Sequence, residues 1–426
     1  MRTRLPLPAL VVALPLAACH DGGQGGGAVA VSDPAFQLTV EVSGLGPVTD
    51  LAFLPDGRMV ITEKDGTLRL RDASAGHTVT VAGRLAVDTA SEKGLLGVVV
   101  SPGFASDGRI VLYRSVASAG GGTDLDRNRV ASFRLGEDGL LELASEQTLV
   151  SGLRGPANHD GGGMALGPDG KLYVGVGDSG CNSSRPPEPP SPPTNYFATC
   201  LTSGNGKILR IELDGFIPAD NPLAAVPEAT ACGATCGEAP VALAPPRADI
   251  WAWGFRNPWR FAFDPGTGLL WVADVGEVTY EELTVAQPGR HHGWPWREGR
   301  HGWPPGQCST VVPDTGDCVD PAYECRHGPA SEGIDGGCES ITGGAFLTGP
   351  RWPEALRDRY VFGDNVTQDV WSVQLTPDRR GVVAGSRRAL ARASGPPVSF
   401  RTGPDGDILV AILSGQILRL SPAASP

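Results

Sequence analysis

A Pro-Asp-Gly turn set between two apolar strands recurs along this chain, and a unit repeated at that scale cannot bury its hydrophobic face alone. Leu51–Thr62 is the first clear copy. Val98–Tyr113 follows with a longer turn over Pro102–Gly108, then Met164–Val176, then Phe261–Val272 around Pro265-Gly-Thr-Gly268. A degenerate copy spans Gly344–Phe362, and Phe400–Ile412 is the last. Several copies run on into another strand, as in Gly66-Thr-Leu-Arg-Leu70 and Gly415–Leu420. Six strand-rich units predict an all-β fold, a six-bladed β-propeller with long disulfide-stapled loops on one face. The strand near Gln416–Leu420 is expected to close the ring against Phe36–Val42, and a two-domain division is the alternative.

Composition agrees with many short strands. The 426 residues hold 59 Gly and 38 Pro, which disfavour long helices, and 41% hydrophobic content is enough for a large core. Thirty-five basic against 47 acidic residues give a net charge of −12, with no Lys/Arg cluster, so nucleic acid is not an expected partner. Arg2 and Arg4 precede a short apolar run, Leu5–Ala18, too brief to span a bilayer. With Leu16-Ala17-Ala18-Cys19 it resembles a bacterial lipoprotein signal, which places the protein in the cell envelope, anchored to the membrane only through lipidated Cys19. The expected organisation is a signal peptide over 1–18, the lipidated cysteine with a flexible Gly-rich linker over 19–34, and the propeller over 35–421. A monomer is the default.

Removing Cys19 leaves eight of the nine cysteines, an even number in an exported chain, which implies disulfides. Pairing in sequence order closes the shortest loops: Cys181–Cys200, Cys232–Cys236, Cys308–Cys318 and Cys325–Cys338. Cys232 and Cys236 lack a second Cys/His pair at finger-like spacing, which argues against zinc. The insertions Ser183–Thr194, Phe216–Arg247 and Arg290–Ser340 are too poor in apolar residues to fold alone and are expected to be stapled onto the propeller.

The chemistry concentrates in two stretches. His159 precedes a predicted hairpin, roughly Gly163–Leu166 and Lys171–Val176, that ends on Asp178, so the two side chains fall at one sheet edge. A histidine whose second ring nitrogen is held by a carboxylate is suited to proton abstraction near neutral pH. A structural histidine in a glycine-rich strand entry is the other reading. Arg256 and Asn257 precede Pro258 among Trp251, Trp253 and Trp259, and a guanidinium fixed there suits an anionic or quinonoid oxygen, or else stacks on tryptophan or pairs with aspartate. The following Asp274–Glu282 segment is rich in acids and turns and could bind calcium, without EF-hand spacing.

Five motifs in order, Glu92-Lys-Gly-Leu-Leu-Gly97, His159-Asp-Gly-Gly162 with Gly177-Asp178, Gly206-Lys-Ile-Leu-Arg210, Gly254-Phe-Arg-Asn-Pro-Trp259 and Gly293-Trp-Pro295, resemble the glucose/sorbosone dehydrogenase family over roughly Phe36–Leu420. The likeness is closer to its hedgehog-interacting-protein-like branch. The resemblance implies a propeller enzyme that oxidises an aldose or related sugar using pyrroloquinoline quinone (PQQ) and Ca2+. By that resemblance His159 is the general base, Asp178 its partner, and Arg256 with Asn257 contact the quinone oxygens. Glu92 and Arg401 are further cofactor contacts, and Gly276 and Glu277 offer backbone carbonyls to calcium. His159 would take the proton of the anomeric hydroxyl while hydride passes to the quinone. Two departures stand out: Glu92 replaces a glutamine, and the family's lysine and paired arginines for the PQQ carboxylates have no clear counterpart. A non-catalytic propeller binding a glycan or protein partner is the alternative. No Cys-x-x-Cys-His is present for a covalent haem, so the electron acceptor, a cytochrome or a quinone, is a separate partner the sequence does not name.

Overall fold

The Pro-Asp-Gly turns are closed by their own aspartates. In the computed structural model, Asp56, Asp169 and Asp405 each accept, through Oδ1, the backbone amide two residues on, from Arg58, Lys171 and Asp407. The glycines that follow the aspartates take φ of +88°, +74° and +85°, a left-handed conformation that costs glycine no Cβ clash. Each turn thereby fixes the register of its hairpin, with Leu51 opposite Ile61 and Met164 opposite Val174. The structure describes residues 29–116, 127–155, 158–180, 195–239, 242–302, 318–331 and 333–423. The signal peptide, Cys19, the Ser183–Thr194 insertion, Cys181 and Cys308 lie outside the described residues.

Six antiparallel blades follow one another around a ring. Their innermost strands are Val48–Phe53, Leu95–Val100, Met164–Leu166, Pro258–Phe263, Ile341–Phe346 and Pro397–Thr402. Each packs against the innermost strand of the blades before and after it, and the sixth packs against the first, so the circle is complete around a central channel. The second strands, such as Met59–Glu63, Leu172–Val176 and Ile408–Ile412, are buried throughout. They read as continuous apolar runs rather than as alternation because a neighbouring blade covers each face.

Closure is by strand exchange between the chain ends. Phe36–Val42 pairs antiparallel with Gln416–Pro422, placing Leu38 opposite Leu420 and adding the first long strand to the last hairpin. Ala30–Val31, expected in the flexible linker, instead forms a short edge strand against Arg388–Arg392 of the fifth blade.

One expected disulfide order is corrected. Cys325–Cys338 forms as the sequence order suggested, but Cys200 bonds Cys232, not Cys181. The reason is backbone pairing: Tyr196 N donates to Cys236 O, and Leu201 N donates to Thr230 O, laying the 229–236 insertion along the 196–201 turn. Cys232 therefore faces Cys200, and Cys232 and Cys236 are not joined to each other. Cys236 and Cys318 each take part in a disulfide of their own.

At one end of the channel, five of the six innermost strands slip register at the same level. The shifts fall at Val48/Asp50, Leu95/Gly97, Pro258/Arg260, Ile341/Gly344 and Pro397/Ser399. Bulges of this kind release a residue from the ladder and re-aim its side chain. The residues released, Thr49, Leu96, Trp259, Thr342 and Val398, all line one pocket at the channel mouth.

Candidate active site

His159 and Asp178 meet at that end of the channel. His159 Nδ1 lies 2.6 Å from Asp178 Oδ1, and both side chains are buried. The approach depends on Gly177, where an added Cβ would lie 2.1 Å from the His159 carbonyl oxygen. His159 itself has φ +57°, unfavourable for a non-glycine residue and sustained here by its surroundings. Burial by itself would raise the Asp178 carboxyl, but the His159 and Arg256 side chains, with hydrogen bonds from His159 and the Gly180 amide, hold it below the ordinary carboxylate range. Asp178 is therefore an anion that holds the imidazole by Nδ1 and leaves Nε2 as the basic nitrogen.

Glu92 explains how the His159 backbone is held. Its Oε2 accepts the amides of His159 (2.8 Å) and Asp160 (3.3 Å) and the side-chain Nδ2 of Asn257 (3.2 Å). One carboxylate oxygen thus ties the second blade to the third and fourth. The adjacent Asp160 is fully buried, accepts a hydrogen bond from Asn128 Nδ2 and leaves Oδ2 without a partner. Burial, and then the charge of Glu92, push its carboxyl up to about 7.

Arg256 and Asn257 are presented by Asp274, whose two oxygens accept their backbone amides at 2.9 and 2.7 Å. The Arg256 guanidinium donates to Val275 O and lies over the Trp294 ring, 5.6 Å from its centroid. Arg256 Nε and Asn257 Oδ1 are buried without hydrogen-bond partners. Trp294 closes the circuit by donating Nε1 to Asp178 Oδ2 at 2.8 Å. Sequence reasoning placed Gly293-Trp-Pro295 in a family motif but gave Trp294 no role, because a tryptophan 116 positions from Asp178 carries no local signal. It also missed Lys207, whose buried Nζ donates to Phe197 O, Ala198 O and Asn205 O. That strap supports Asn205 and Asn195, which donate to Gly177 O and Asp178 O.

Gly276 and Glu277 lie in a turn whose amides converge on buried acids. Glu298 Oε1 accepts the amides of Glu277, Val278, Thr279 and Tyr280, and Glu281 Oε2 accepts that of Gly276. In a trans peptide the carbonyl opposes the following N–H, so the carbonyls of residues 276–279 point away from Glu298. Beside them Asp274 and Glu282 are buried; burial, and then the charge of Asp178, push the Asp274 carboxyl up to about 7, and burial, and then the charge of Asp274, raise that of Glu282. Among the described residues no three His, Cys, Asp or Glu side chains are grouped to hold a metal. A cation here would draw on backbone carbonyls, a donor set of hard oxygens that fits calcium.

The pocket at the channel mouth has a volume of about 260 Å3, just below the roughly 300–1,000 Å3 usual for small-ligand sites. Glu92, Asn257 and Asn158 line one side and Trp259 forms part of the wall. Lys64 also lines it, its Nζ donating to Thr89 O, so the first blade supplies a cation that the sequence reading did not place. The unpaired donor Arg256 Nε, beside the pocket, fits a planar cofactor rich in acceptor oxygens such as PQQ. Arg401 is corrected. It forms a bidentate ion pair with buried Asp50, also donates to Met164 O, and lines a separate cavity at the opposite end of the channel with Phe346 and Phe400. An innermost strand carries successive side chains away from the mouth, which is why a residue near the end of Pro397–Thr402 cannot reach the pocket.

Comparison with known proteins bears on the family and the fold. The glucose/sorbosone dehydrogenase family model matches residues 47–419. The chain is 29% identical over 416 residues to the aldose sugar dehydrogenase YliI of Escherichia coli, covering 91% of this chain and 94% of that protein. A putative glucose dehydrogenase from Thermus thermophilus superposes with a TM-score of 0.69 at 26% identity, over 90% of this chain and 99% of its own. The PQQ-bound aldose sugar dehydrogenase of Streptomyces coelicolor shares the fold, with a TM-score of 0.65 at 23% identity over 92% and 99% of the two chains. With a match running from the first blade to the last, this chain belongs to the glucose/sorbosone dehydrogenase family.

Proposed function

We propose that the protein is a PQQ- and calcium-dependent dehydrogenase of an aldose or related sugar. The observation that carries this reading is the buried His159–Asp178 contact at 2.6 Å beside a pocket with unsatisfied polar groups. PQQ, when bound, supplies the two-electron acceptor that the side chains themselves lack. Asp178 holds His159 by Nδ1, and Nε2 takes the proton from the sugar hydroxyl. Arg256 and Asn257, set by the Asp274 carboxylate, hydrogen-bond the cofactor's oxygens and favour charge developing there. The 276–277 backbone carbonyls would hold calcium. Glu92 organises the base; its Oε2 already serves three donors.

A panel of aldoses offered to the calcium- and PQQ-loaded protein with an artificial dye acceptor tests this reading. Sugar-dependent dye reduction is expected, and it should disappear in His159→Asn, since asparagine tolerates the left-handed backbone at this position but cannot act as the base. Equal turnover in a folded His159→Asn would contradict the assignment of the base, and no turnover with any aldose would contradict the substrate class.

A further inference from the structure

The channel beneath the pocket holds more positive than negative charge. Among the described residues, Arg401 and Arg260 both face the Asp50 carboxylate there. Arg401 takes both oxygens of Asp50, at 2.9 and 2.6 Å, and Ser399 Oγ and the Val98 amide add to the same carboxylate. Arg260 is left with backbone oxygens. Its Nη1 donates to Trp259 O, its Nη2 donates to Thr49 O and Leu96 O, and its Nε has no partner. It is 3% exposed and makes no ion pair with a described carboxylate.

These three carbonyls belong to the residues that the register shifts release from their ladders, and all three residues line the pocket. Arg260 therefore sits directly under the pocket as a plug across the channel. Its guanidinium lies 4.7 Å from the centroid of the Trp259 ring, which is itself part of the pocket wall. A buried guanidinium that must share Asp50 with Arg401 is only partly neutralised, and an anion placed nearby in the same low-dielectric region offsets that cost.

We infer that Arg260, acting through and alongside the Trp259 ring, makes the pocket selective for a planar polycarboxylate, adding a buried charge to that of Lys64 at its rim. The inference rests on the proposed PQQ site and assigns the source of its charge selectivity. Arg260 contacts no ligand by its own donors; it is a positioning and electrostatic residue. Lys64, at the rim and solvated, contributes less because water screens it.

The test compares the affinity of the full-length protein for PQQ, for its uncharged trimethyl ester and for benzene-1,3,5-tricarboxylate, all read by ligand-induced change in tryptophan fluorescence rather than by turnover. The wild-type protein should bind PQQ more tightly than the triester by about tenfold or more, since roughly 1.4 kcal/mol per tenfold is well within the reach of a buried charge. Lys64→Met, at the pocket rim, should keep most of that preference. Arg260→Lys should keep part of it, and Arg260→Met, with folding checked by thermal melting, should lose it. A Lys64→Met variant that loses the preference would overturn the role of Arg260, as would a folded Arg260→Met that keeps it, and either result would leave the PQQ reading intact. Binding of the tricarboxylate without PQQ would instead remove the PQQ reading and support the polycarboxylate selectivity. Absence of binding by all three probes would overturn both.

Discussion

Trp294 Nε1 donates to Asp178 Oδ2 at 2.8 Å, so the carboxylate that holds His159 is itself held from its other side. The same indole carries the Arg256 guanidinium over its ring. One side chain thus links the base's partner to the residue proposed to contact the cofactor. A hydrogen bond to a buried charged acceptor contributes about 1.5–3 kcal/mol. Trp294→Phe keeps the ring under Arg256 and removes only the donor. It should lower stability in urea unfolding by about 1–3 kcal/mol, and it should lower kcat more than it raises KM, because Asp178 becomes free to rotate away from Nδ1.

Asp160 should make stability fall with rising pH. Its carboxyl is raised to about 7 by burial and by Glu92, against an unfolded value near 4. Below about pH 4 both states are protonated and its contribution is fully present. Between about 4 and 7 the unfolded chain releases the proton first, so the folded state binds more protons and stability declines as pH rises through the folded value. Asp160→Asn retains an acceptor for Asn128 and cannot ionise. Its stability relative to wild type, followed by chemical denaturation across this range, should increase with pH by an amount on the order of a few kcal/mol. A constant difference between the two proteins would show that Asp160 does not hold the proton.

The Cys200–Cys232 bond closes a loop with a sequence separation of 32 and fixes the 229–236 insertion against the turn beneath Asp178. Replacing both cysteines with serine should cost about 3–4 kcal/mol by the loop-entropy account. Because Asn195 and Asn205, on either side of Cys200, donate to Asp178 O and Gly177 O, activity should fall together with protection of the 195–205 amides in hydrogen exchange. Loss of stability with unchanged exchange in that segment would separate the disulfide from the site.

The propeller was legible in the sequence because its signal is local: an Asp-capped turn with a left-handed glycine repeats wherever a hairpin must form, as at Asp56-Gly57 and Asp405-Gly406. The His159–Asp178 contact was legible for the same reason, since one hairpin joins the two. Long-range geometry was not. Nothing in the spacing of Trp294, Glu92 or Arg260 tells that they converge from different blades, and the register shifts that create the pocket leave no compositional mark. Arg401 illustrates the limit: the sequence showed a cation on the right strand, but its height along the channel, and the Asp50 waiting there, follow only from the closed ring. Disulfide order failed at Cys200 because backbone pairing of an insertion, not loop length, set the partner.

The most direct test of the account is titration of the purified, calcium-loaded protein with PQQ, followed by quenching of tryptophan fluorescence, since Trp259 and Trp294 are placed at the site. Saturable binding at one PQQ per chain, weakened in Asn257→Ala, is the predicted result. Absence of saturable quenching in a protein shown to be folded would contradict the cofactor assignment and, with it, the dehydrogenase reading.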